Sequence, residues 1–122
     1  MAENTEKQQL IAEIIDAIQD TKGEGIMIFD LSKIENSVAD TFIICSGNSN
    51  TQVSSIAGNI EKKVRNNLHE RPWHIEGREN AMWVLVDYVS VVVHIFQKQV
   101  RDYYNIEELW GDAKVTVIED IL

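Results

Sequence analysis

The sequence predicts a single α/β domain, residues 1–122, with a mixed sheet of mainly five strands and helices packed on it. Three observations predict this. The run Trp83–Phe96 folds back on itself as two strands with sharply different faces. Two long segments, Thr5–Asp20 and Asn50–Leu68, carry apolar residues at helical spacing. The stretch from Cys45 through the second of these helices to Pro72 is long enough for a crossover.

The elements follow in order. Thr5 and Gln8 have capping-box spacing, and Leu10, Ile11, Ile14, Ile15 and Ile18 form the stripe of a first helix that Gly23 and Gly25 stop. Ile26–Leu31 is a strand, followed by a polar connection from Ser32 to Ala39. Thr41–Cys45 is nearly continuous in apolar residues, which suits an interior strand. Ser46–Ser49 turns the chain, and Ser49 with Gln52 repeats the capping-box spacing. Val53, Ile56, Ala57, Ile60, Val64 and Leu68 face the core, while Asn59, Glu61, Lys62, Arg65 and Asn66 face solvent. Pro72–Ile75 is a short strand whose proline suits a start or an edge. Glu76–Asn80 is a turn. After the hairpin, Val100–Trp110 reads as a short, broken helix and Lys114–Ile118 as a last extended stretch.

Pairing Asp87 with Ser90 across Tyr88-Val89 sorts the hairpin into two faces. Val84, Val86, Val91, Val93 and Ile95 form an aliphatic face that the two helices should cover. Trp83, Leu85, Asp87, Ser90, Val92, His94 and Phe96 form the other, mixing large rings with a carboxylate and an imidazole. Such a face docks a protein if it is exposed. If it is covered, its polar members sit at the rim; periodicity leaves both readings open.

Composition narrows the function. No segment approaches a membrane span, and no apolar run follows a basic N-terminus, so neither secretion nor a transit peptide is expected. One cysteine, Cys45, excludes an internal disulfide and a multi-cysteine zinc site, and fits a reducing cytosol. With 20 acids against 11 bases the net charge is −9, which repels a nucleic-acid backbone. Lys62, Lys63 and Arg65 are the one basic cluster. A basic protein is the electrostatically favoured partner.

Catalytic readings fail on missing parts. Backbone amides at Ser46-Gly47 sit where an anion could be cradled, but a Walker-type loop needs a lysine and more glycines. Nucleotidyl transfer needs a convergent pair of acids, and on the strand that should carry them Asp87 stands alone. Cys45 ends an apolar strand, the usual setting of a structural thiol. His74-Ile-Glu76 matches a deaminase element but lacks the later Cys-x-x-Cys. His94 among apolar neighbours reads as a hydrogen-bonded structural histidine. Tyr103, Tyr104, Ile106, Leu109 and Trp110 read as core, with a surface role for Tyr104 or Trp110 as the lesser alternative. No catalytic site, cofactor or metal is expected, and the residues alone lead to a binding module.

Several segments together resemble the ribosomal silencing factor, or Iojap-like, family. They are Asp40–Ser49, Gln52-Val53, Glu76-Gly77, Ala81–Tyr88, Val91–Phe96 and Arg101–Trp110, ending at Asp112-Ala113. The resemblance implies a nucleotidyltransferase-like topology without the catalytic acids. It implies binding to ribosomal protein L-fourteen of the large subunit, obstruction of subunit joining, and repression of translation under nutrient limitation. Homodimers when free are also implied. The acidic charge speaks against direct contact with nucleic acid, and the lone cysteine and polar N-terminus fit a cytoplasmic location. On this reading the docking residues are Trp83 as anchor, Leu85, Asp87, Ser90, Val92 and His94, with Tyr88 and Trp110 as weaker members. The family usually carries Gly and then an acid after Asp87-Tyr88; here stand Val89 and Ser90. A β-branched residue resists the positive φ of the tightest turns, which argues for a wider loop. A dimeric adaptor unrelated to ribosomes and a residual nucleotidyltransferase are the competing functions.

Overall fold

The computed structural model describes residues 2–34, 39–105, 108 and 113–120. The chain runs α1 (Ala2–Asp20), β1 (Glu24–Asp30), β2 (Thr41–Gly47), α2 (Asn50–Leu68), β3 (His74–Glu76), β4 (Trp83–Asp87), β5 (Val91–Gln97), α3 (Lys98–Tyr104) and β6 (Lys114–Val117). The strands form one sheet in the order β3-β4-β5-β2-β1-β6. Among the described residues only the central β2–β5 pair is parallel, and it is this pair that the α2 crossover makes possible. The fold class is as the sequence predicts, with six strands in place of five. The added strand, β6, pairs with β1 at the edge, from Met27↔Val117 to Asp30↔Lys114.

The aliphatic face is the helix-covered core. Leu10, Ile14, Ala17 and Ile18 of α1 and Val53, Ile56, Ala57, Ile60 and Val64 of α2 pack on Val84, Val86, Val91, Val93 and Ile95. All seven residues of β2 are buried, which explains its unbroken apolar run. The other face carries a second cluster of Phe29, Leu31, Ala39, Phe42, Ile44, Val92, Phe96 and Val100.

The helix ends are handled differently from one another. α1 starts at Ala2, so Thr5 lies inside its first turn and is not its cap. At α2 the predicted cap forms: Ser49 Oγ accepts the Gln52 N–H at 3.1 Å. The Gln52 amide does more, accepting the Asn48 N–H at 2.7 Å and donating to the Lys22 carbonyl at 2.9 Å, which ties the start of α2 to the end of α1. Asn59 donates to the Ala17 carbonyl at 2.9 Å, so it belongs to the helix–helix seam and not to the solvated face. Lys63 bridges Asp16 and Asp20 of α1, which spends one charge of the basic cluster inside the molecule and holds the lysine above its ordinary pKa.

The hairpin register differs from the expected one by two residues. Asp87 pairs with Val92, Leu85 with His94 and Trp83 with Phe96. A two-residue slip preserves every face assignment, because side chains alternate with period two. The loop is wider than a two-residue turn, but Val89 nevertheless takes a positive φ of 76°. The Ser90 N–H donates to the Tyr88 carbonyl at 3.0 Å across it, a γ-turn of the strained kind.

Candidate functional site

The mixed face of β4 and β5 is built by alternation. Trp83, Leu85 and Asp87 point to it from β4, all half-buried. Phe96 lies directly opposite Trp83, and their rings stack at 4.8 Å between centroids. His94, two residues from Phe96, is the diagonal neighbour of Trp83. The edge strand β3 extends the face, because Glu76 pairs with Leu85 and His74 with Asp87. His74 Nε2 and Glu76 Oε1 lie 2.7 Å apart on that exposed strand. Leu85 is thus bordered by two carboxylates, Glu76 and Asp87. Sequence reasoning placed His74 in a failed deaminase motif and missed its position beside the mixed face; the alternation His74, Glu76 was the available signal.

Asp87 has a structural task as well. Its Oδ1 accepts the Val89 N–H at 2.7 Å and holds the strained turn. Ser90 is half-buried at the end of the hairpin, and its carbonyl accepts from Asp40 and Thr41.

Three of the proposed contacts are not on the open surface. Val92 is 6% exposed and His94 5%. Both belong to the same face but stand on the inner strand β5, where Val92 packs in the second cluster and the rings of Phe42, Trp83 and Phe96 surround His94. Tyr88 continues the Val84–Val86 alternation and joins the helix-covered cluster, on the opposite side of the sheet from Trp83. Burial, with Glu61 and Glu70 nearby, pushes its phenol up. Trp110 lies outside the described residues. Tyr103 and Tyr104, expected in the core, are exposed on α3, and Tyr104 reaches Trp83 at 5.5 Å between ring centroids. Ile106 and Leu109 lie outside the described residues.

His94 is polar, buried and only half satisfied. Trp83 Nε1–H donates to His94 Nδ1 at 3.1 Å. An indole only donates, so Nδ1 is the unprotonated nitrogen and the neutral ring carries its proton on Nε2. Nε2 is buried with no hydrogen-bond partner, an arrangement that costs about 1–3 kcal/mol. Phe42 packs edge-on at 4.9 Å. Burial brings the imidazole down to about 4, so it is neutral at physiological pH.

The places where catalysis was sought hold structure instead. Ser46 Oγ accepts from Arg101 Nη1 at 2.9 Å, and the same nitrogen donates to the Gly25 carbonyl at 2.7 Å. The Ser46-Gly47 turn is therefore anchored to α3 by a buried guanidinium. Burial pushes the Cys45 thiol up to about 12, against a small opposing pull from Arg101, so the thiolate nucleophile is disfavoured. Among the described residues no cluster of His, Cys, Asp and Glu is placed to hold a metal ion.

The family model described as "Ribosomal silencing factor during starvation" matches residues 4–122. The chain belongs to the ribosomal silencing factor family. A Halalkalibacterium halodurans protein named ribosomal silencing factor RsfS is 41% identical over 115 residues, covering 94% of this chain and 97% of the relative. A Bacillus subtilis protein of the same name is 43% identical over 104 residues, 84% of this chain and 86% of its own. A crystal structure of a Chromobacterium violaceum protein, 39% identical, superposes with a TM-score of 0.80 over 85% of each chain. The relatives' names describe a regulatory role at the ribosome. Among the described residues no helix is long and apolar enough to cross a membrane.

Proposed function

We propose that this chain is a cytoplasmic ribosomal silencing factor. It docks on the large ribosomal subunit through ribosomal protein L-fourteen, blocks small-subunit joining by occupancy, and so lowers translation when nutrients are scarce. The observation that carries the reading is the strip Trp83–Leu85–Asp87, half-open on the sheet and bordered by Glu76. Trp83 is the anchor, since aromatic side chains dominate interface energetics. Leu85 supplies the apolar centre, Ser90 lies at the rim, and Asp87 Oδ2 and Glu76 accept from a basic partner. The net charge of −9 favours that partner and opposes direct contact with RNA. Val92 and His94 flank the strip as its cross-strand neighbours, and the free chain is a homodimer. Steric exclusion requires no turnover, so no cofactor or catalytic acid enters.

The test is binding of the chain to purified, immobilised ribosomal protein L-fourteen, wild type against Leu85→Lys. The half-exposed site tolerates the substitution, so the circular dichroism spectrum stays native. Binding is expected to fall at least about tenfold, because the variant sets a cation against a basic partner. Equal binding by the two proteins would remove this surface from consideration.

A further inference from the structure

We infer that His94 is a positioning residue that fixes the Trp83 indole in its docking orientation through the Trp83 Nε1–His94 Nδ1 hydrogen bond. The inference rests on the docking reading above. Trp83 is held on three sides: stacked on Phe96, flanked by Tyr104, and bonded to His94 at 3.1 Å. The two ring contacts are non-directional in the ring plane and allow the indole to slide or flip. The hydrogen bond is the one directional constraint of the three. It requires a buried acceptor under a half-open aromatic ring.

The arrangement around His94 is otherwise unfavourable for the fold. Its neighbours across the strands are Leu85 and Ile44, and Phe42 lies against its ring. A leucine in its place would remove the unpartnered Nε2 donor and pack in an apolar cluster. The polar ring costs folding free energy and gives the indole its orientation. An interface anchor gains from such preorganisation, because rotamer freedom lost in advance is not lost on binding. Burial that keeps the ring neutral also keeps Nδ1 an acceptor at physiological pH.

The experiment measures large-subunit affinity for wild type, His94→Leu, His94→Asn, Trp83→Phe and the double variant His94→Leu/Trp83→Phe. Alongside it, the Trp83 Nε1–H resonance and its solvent exchange are followed by NMR. His94→Leu is expected to weaken binding about tenfold and to release the indole N–H into fast exchange. His94→Asn, whose Oδ1 can replace Nδ1 as acceptor, retains most of the affinity and the protected resonance. Trp83→Phe lacks the donor, so adding His94→Leu to it costs nothing further; a merely structural histidine would add its loss in full. Undiminished binding by His94→Leu, or additive losses in the double variant, overturns the inference and leaves the docking reading intact. Wild type that fails to bind overturns the docking reading and the inference with it. If His94→Leu does not fold, the contrast between His94→Asn and Trp83→Phe decides: equal losses in both overturn the inference.

Discussion

Acid should loosen this protein through His94 in a defined window. The ring titrates at about 4 in the fold against 6.5 when free, with burial as the cause. Between those values the unfolded chain binds a proton that the folded chain refuses, so the free energy of unfolding rises with pH. The contribution is complete above pH 6.5 and is lost as the pH falls toward 4. The full interval is worth about 3 kcal/mol, of which about 2 kcal/mol is gone at pH 5. Urea denaturation of wild type and His94→Asn across pH 8 to 4.5 isolates it, since other groups titrate alike in both proteins. Wild type loses about 2 kcal/mol relative to the variant between pH 8 and pH 5, so the gap between the two changes by that amount on acidification. A gap that stays constant over that range would show that His94 titrates alike in the folded and unfolded chains, and the burial argument would be refuted.

Gly77→Ala is expected to lower stability by about 2 kcal/mol or more, read by urea denaturation, because φ is +87° and a Cβ there would lie 2.0 Å from the Trp83 carbonyl oxygen. Val89→Gly relieves a β-branched residue held at φ +76° and should raise stability by about 1 kcal/mol in the same assay, without moving the hairpin register observed by NMR. Asp87→Asn keeps an oxygen for the Val89 N–H but removes the charge. It should leave the melting temperature close to wild type while weakening large-subunit binding about tenfold and flattening its salt dependence.

What the sequence disclosed follows from how strongly each feature is buried. The α2 stripe and the β2 run are deep in the core, and their apolar periodicity was plain. The face assignment of Trp83, Leu85 and Val84 held because it depends on parity, which the two-residue change in register does not disturb. The register itself was hidden by Val89, whose side chain argues against the conformation that the turn imposes. β6 escaped the strand count because all four of its residues are exposed, so no alternation of burial marks it. Tyr88 was readable by extending the Val84–Val86 alternation one step, and treating it as a turn residue concealed that. Tyr103 and Tyr104 were taken for core on hydrophobic spacing alone, but α3 spans only seven residues and leaves both open. The burial of His94 was half legible: its apolar neighbours marked a structural histidine while its place on the mixed face suggested an open contact, and the position of β5 inside the sheet decides for the first.

The central claim is that the bound chain excludes the small subunit, and order of addition tests it most directly. Separated ribosomal subunits are incubated with the protein before or after Mg²⁺-driven joining and resolved on sucrose gradients. Co-migration with the large subunit and fewer joined ribosomes when the protein is added first is the predicted result. Joined ribosomes in undiminished amount, with the protein left at the top of the gradient, would contradict the account.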